Sequence, residues 1–121
     1  MSAPIAATPE PPYYAAIFTS RLNRDPVSYT EMAARMEELA AQSPGYLGIE
    51  SVRNAEGHGI TISYWANEAA IREWKGETEH RIAQATGQSQ WYKDYCVRIA
   101  KVERDYVFPA GTSKPPTKRR A

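Results

Sequence analysis

Ile60-Thr-Ile-Ser-Tyr-Trp-Ala-Asn-Glu-Ala-Ala-Ile-Arg-Glu-Trp-Lys75 is the stretch on which the fold turns. Its first half alternates β-branched and small polar residues, the two-residue period of a strand. Asn67 then offers a side-chain carbonyl to the free N–H groups of a first helical turn. The strand-to-helix switch is therefore written into sixteen residues. All three tryptophans (Trp65, Trp74, Trp91) fall between Ile60 and Arg104, as do His80 and the single cysteine, Cys96.

Upstream, Asn54-Ala-Glu-Gly-His58 reads as a polar hairpin loop joining strands over 46–53 and 59–65. Ser43-Pro44-Gly45 ends a preceding helix, which Ser28-Tyr-Thr-Glu31 opens as a capping box. Tyr29, Met32, Ala33, Met36, Leu39 and Ala40 recur at spacings of three and four and form that helix's apolar stripe. Tyr13–Leu22 alternates as a first strand, with Phe18 and Ser20 on one face. Downstream, a short helix is expected over 68–75, broken at Gly76, then a second from about Thr78 to Trp91. A last strand is expected from about Asp94 to Phe108. The order strand, helix, strand, strand, helix, strand is the split βαβ arrangement of an α+β, ferredoxin-like fold with an antiparallel sheet.

The 121 residues suffice for one domain. Three segments are expected: a flexible proline- and alanine-rich leader, 1–12; the domain, 13–108; and a disordered basic tail, 109–121. Without the tail's four basic residues and the leader's Glu10, the body has 11 basic and 13 acidic groups. That mildly acidic balance points away from nucleic acid. No apolar run reaches membrane-spanning length, and residues 1–12, with no basic start and no hydrophobic stretch, do not read as a secretory signal. One cysteine excludes an internal disulfide, so a cytoplasmic protein is expected. Apolar residues on both faces of the strands over 13–22 and 94–108 predict a homodimer formed through the sheet faces.

Pro44-Gly45-Tyr46-Leu47-Gly48, Ser63-Tyr64-Trp65, Ile71-Arg-Glu-Trp74-Lys75, His80 and Trp91-Tyr92 ahead of Arg98–Glu103 resemble the antibiotic biosynthesis monooxygenase family over about residues 13–108. The resemblance implies a dimeric α+β barrel. It also implies oxygenase chemistry on polyketide anthrones or quinols without metal or flavin, hence no cofactor. Other relatives degrade haem, through an asparagine, a tryptophan and a haem-ligating histidine whose positions here are Ser20, Trp74 and Gln84. Only the tryptophan matches.

The residues themselves offer no competing chemistry. Two histidines 22 apart and one cysteine do not make a metal cluster, and no phosphate loop or nucleophile elbow occurs. An electron-rich phenol or quinol that loses a proton can reduce dioxygen unaided, so the protein need only bind, deprotonate and desolvate it. His80 suits the base, because imidazole titrates near neutral pH. The break at Gly76 is expected to turn Trp74 and His80 into one cleft. Trp74, Tyr64 and Phe18 suit the ring, and Ser20 and Gln84 the phenolate oxygen. The alternative reading is a non-catalytic ligand-binding or structural dimer whose cleft is filled core.

Overall fold

A computed structural model describes residues 5–23, 29–86 and 92–108, without the side chains of 29–32 and 79–86. The capping box at Ser28, the side chains of Tyr29, Met32, His80 and Gln84, Trp91 and the tail 109–121 all lie outside the described residues. The elements run β1 (Tyr13–Leu22), α1 (Tyr29–Ala41), β2 (Tyr46–Arg53), β3 (His58–Trp65), α2 (Glu68–Thr86) and β4 (Tyr92–Val102). The strands form one antiparallel sheet in the order β2-β3-β1-β4. This is the expected ferredoxin-like α+β architecture. Among the described residues no helix is long and apolar enough to cross a membrane.

Register follows from alternation. Phe18 pairs with Thr61 on one side and Val97 on the other, and Ser51 pairs with Thr61. Opposed residues share a sheet face, so Ser51, Thr61, Phe18 and Val97 form one row beneath the helices. In the β2–β3 hairpin, Asn54 Oδ1 accepts the N–H groups of Glu56 and His58, and Gly57 takes φ +91°. A side chain rarely adopts that angle, and glycine does so without strain. The core gathers at one end of the sheet, where fully buried Trp65 packs with Ala40, Ala70 and Ile71. Asn67 Oδ1 accepts the Ala70 N–H at 2.9 Å, so it caps α2 as its side chain allows.

Two expectations are corrected. The helix does not break at Gly76: α2 runs unbroken from Glu68 to Thr86. Glycine weakens a helix by only about 1 kcal/mol relative to alanine, and the hydrogen-bonded turns on either side carry the helix through it. A Cβ at Gly76 would meet nothing within 4 Å. Gly76→Ala is therefore expected to raise stability by about 0.5–1 kcal/mol in a thermal melt.

The leader is not free from residue 5 onward. The Ala6 N–H donates to Glu50 Oε2 at 2.9 Å, while Tyr64 Oη donates to Glu50 Oε1 at 2.8 Å. Thr8 is buried, and its hydroxyl donates to Tyr13 Oη, which in turn donates to Asp105. Burial first, then the Asp105 hydrogen bond, pushes the Tyr13 phenol up to about 12. Burial and Glu50 raise Tyr64 likewise. Deleting residues 1–9 should therefore cost about 1–3 kcal/mol, the worth of the bonds removed. Both phenols are held neutral in the fold, so their contribution is complete below pH 10 and lost as pH climbs from about 10 towards 12. A melting temperature that falls across that interval would check the sign.

Candidate active site between the helices and the sheet

A cavity of about 220 Å³ lies between the sheet and both helices. It is small beside the roughly 300–1,000 Å³ of drug-sized ligand pockets. Its walls come from every regular element. On α2, Ile71, Trp74, Lys75 and Thr78 stand at the three- and four-residue spacing of one helix face. On α1, Met36 and Glu37 face them, and Ala16 and Phe18 form the floor with Ser51, Thr61 and Ser63. The β4 wall is Tyr92, Tyr95 and Val97, of which Tyr95 and Val97 are 44% and 37% exposed, so the cavity opens along the sheet edge.

The aromatic groups are ordered by contact. Phe18 meets Tyr92 edge-on at 5.3 Å and Tyr95 at 5.2 Å between centroids, and Tyr92 meets Tyr95 at 5.7 Å. Towards the core, Trp74 stacks on Trp65 at 6.1 Å and 29°, and Trp65 takes the edge of Tyr46 at 5.6 Å. Trp65 is thus the plug and half-buried Trp74 the wall. Burial raises the Tyr46 phenol, and the Glu37 carboxylate adds to the rise.

Polar atoms in the floor are mostly occupied. Ser51 and Thr61 share a hydrogen bond of 2.6 Å, and Trp65 Nε1 donates to Ser63 Oγ at 2.8 Å. Beyond Thr61, Arg53 reaches across Gly59, where a Cβ would lie 2.6 Å from its Cζ. It donates from Nη2 to Ser20 Oγ at 2.8 Å and from Nη1 to the Gly57 carbonyl. Thr78 is the exception: its Oγ1 is buried and has no hydrogen-bond partner among the described residues.

Of the residues expected to form the site, Trp74 and Phe18 line the cavity. Ser20 shares the Phe18 face but lies one row further on, buried against Arg53 rather than lining the cavity. Tyr64 is on the opposite, helix-free face, because it pairs with Ala15 and is bound to Tyr13 and Glu50. Cys96 is exposed on that same face rather than packed in a core. Without the break at Gly76, positions 74 and 80 stand about 240° apart around α2, so nothing turns both towards one cleft.

Thr78, Glu37, Ser51, Arg53 and the Tyr92–Tyr95 pair escaped the sequence reading. Strand alternation would have placed Ser51 and Arg53 on the Phe18 face. Spacings of four and seven from Trp74 and Ile71 would have placed Thr78, had the helix been drawn through Gly76.

A family model described as antibiotic biosynthesis monooxygenase matches residues 29–86. YqjZ of Bacillus subtilis (strain 168) is 50% identical over 109 residues, which is 90% of this chain and 96% of YqjZ. SnoaB, a cofactor-independent oxygenase from Streptomyces nogalater, has a similar structure. Its TM-score is 0.59 at 14% identity, over 82% of this chain and 99% of SnoaB. PA3566 from Pseudomonas aeruginosa gives 0.52 at 17% identity, over 78% and 96%. At these identities the two structures bear on the fold alone. The domain match and the half-identical relative, on a fold and register of this kind, carry one conclusion: the chain belongs to the antibiotic biosynthesis monooxygenase family.

Proposed function

We propose that the protein is a cofactor-independent monooxygenase whose cavity binds a small, planar, electron-rich quinol or anthrone. The observation that carries this reading is the cavity itself, with Phe18, Tyr92 and Tyr95 at one end and Trp74 at the other. Such faces favour a flat ring through burial and offset stacking. The family supports the reaction type, and SnoaB, of like fold, is a cofactor-independent oxygenase.

The reaction needs no outside reductant. A ring C–H or O–H proton leaves to a base, and the resulting carbanion passes its electron pair to dioxygen. A C–O bond forms, the peroxide is protonated, and loss of water leaves a carbonyl. One oxygen atom enters the product and the other leaves as water. For the base we propose Glu37, whose carboxylate borders the cavity from α1. His80, the sequence-based candidate, loses its premise with the unbroken helix. The protein's part is to hold the ring in a dry, oriented place beside a proton acceptor.

The quaternary proposal is a two-fold dimer through the helix-free face, where Ile60 and Val52 are 43% and 73% exposed. Light scattering is expected to give twice the chain mass at micromolar concentration, and a monomer mass would remove it. The activity is tested with chelator-treated protein, an anthrone and ¹⁸O₂. One labelled oxygen in the product, formed faster than without protein, supports the proposal. A rate equal to the spontaneous one sinks it.

A further inference from the structure

We infer that Thr78 is a substrate-orienting residue, whose hydroxyl hydrogen-bonds a phenol or carbonyl oxygen at the edge of the bound ring. The inference rests on the ring-binding reading of the cavity and adds which atom sets the ring's orientation. Thr78 Oγ1 is shut off from solvent and has no partner among the described residues. An unpaired buried hydroxyl is costly, and native structures retain few of them without a reason. Threonine in a helix commonly relieves the cost by bonding back to a carbonyl one turn earlier, yet Thr78 makes no such bond.

The surroundings give the hydroxyl a target. Thr78 is one helical turn beyond Trp74, and both line the cavity. A ring lying against Trp74 therefore brings one edge beneath Thr78. The other aliphatic hydroxyls of the cavity serve the protein: Ser51 and Thr61 hold each other, and Ser63 holds the Trp65 indole. Thr78 is left for a ligand. A hydroxyl rotates to donate or accept, so it suits a phenol before oxygenation and a carbonyl after it. The chemical class selected is an oxygen-bearing fused ring over the same ring without oxygen.

The test compares wild type, Thr78→Val and Thr78→Ser with two probes, 1-naphthol and naphthalene, by quenching of tryptophan fluorescence and by thermal melts of the free proteins. Valine keeps the shape and removes the hydroxyl. Thr78→Val should raise the melting temperature of the free protein by a few degrees, weaken 1-naphthol about tenfold and leave naphthalene within about twofold. Thr78→Ser should keep 1-naphthol near the wild-type affinity. A purely structural role predicts the reverse for stability, so a Thr78→Val protein that melts lower overturns the inference. So does equal binding of 1-naphthol by wild type and Thr78→Val. If wild type binds both probes equally and Thr78→Val changes neither, this inference alone falls. If wild type binds neither, the cavity reading falls with it.

Discussion

Trp65→Ala is expected to lose about 3–5 kcal/mol, the usual cost of truncating a buried aromatic. That is a large share of the roughly 5–15 kcal/mol that holds a small domain together. The reason is position. Trp65 is 0% exposed, packs between Tyr46 and Trp74, and anchors its indole N–H on Ser63. Its removal leaves a void at the meeting of β3, α1 and α2, and exposes the Ser63 hydroxyl to an unpaired state. Trp74→Phe should behave differently. Trp74 is only half-buried and flanks a space already empty of protein, so the change should cost about 1 kcal/mol or less while weakening ring binding. Urea unfolding of the two variants beside wild type measures both. Equal losses would mean that the cavity wall is ordinary core, the expectation of a non-catalytic dimer.

The second large effect concerns proton transfer. Glu37→Gln should lower the oxygenation rate by about 10²–10⁴-fold, the usual worth of a positioned base, with stability close to wild type because the side chain is exposed. His80→Ala should leave the rate within about threefold, because position 80 lies well away from the helix face that lines the cavity. Steady-state oxygen uptake with an anthrone, across pH 6–9, decides between them. A large loss in His80→Ala with none in Glu37→Gln would restore the histidine as base. It would also require the helix near Gly76 to differ from the unbroken form.

Most of the fold was legible because its signals are local. The alternation of Ile60–Trp65, the Asn67 cap and the Gly57 turn each specify their own geometry, and β1 and β2 span the residues that their own segments indicated. The site was legible only where one period sufficed. Trp74 and Phe18 could be placed from a helix and a strand taken singly. Tyr64 was misplaced because the Ser63-Tyr64-Trp65 run puts neighbours on opposite sheet faces, and the sequence does not say which face the helices cover. Trp65, not Tyr64, belongs to that side. Arg53 and Ser20 meet only through the register of three strands.

The error at Gly76 had the widest reach. Glycine is a weak helix former and a common stop, yet here it is an interior residue with open space around it. Reading it as a break brought His80 forward and hid Thr78. The leader misled for a related reason: proline-rich composition signals an extended chain, but not whether a sheet carboxylate such as Glu50 waits to bind it.

The account's central claim is that the cavity beneath the helices takes the ring, and a structure of the protein with a hydroxylated anthraquinone bound tests it most directly. The ring is expected between Trp74 and the Phe18–Tyr95 pair, with a ring oxygen within about 3.2 Å of Thr78 Oγ1. A ring seated on the helix-free face, or a cavity closed by its own side chains with the ligand elsewhere, would contradict it.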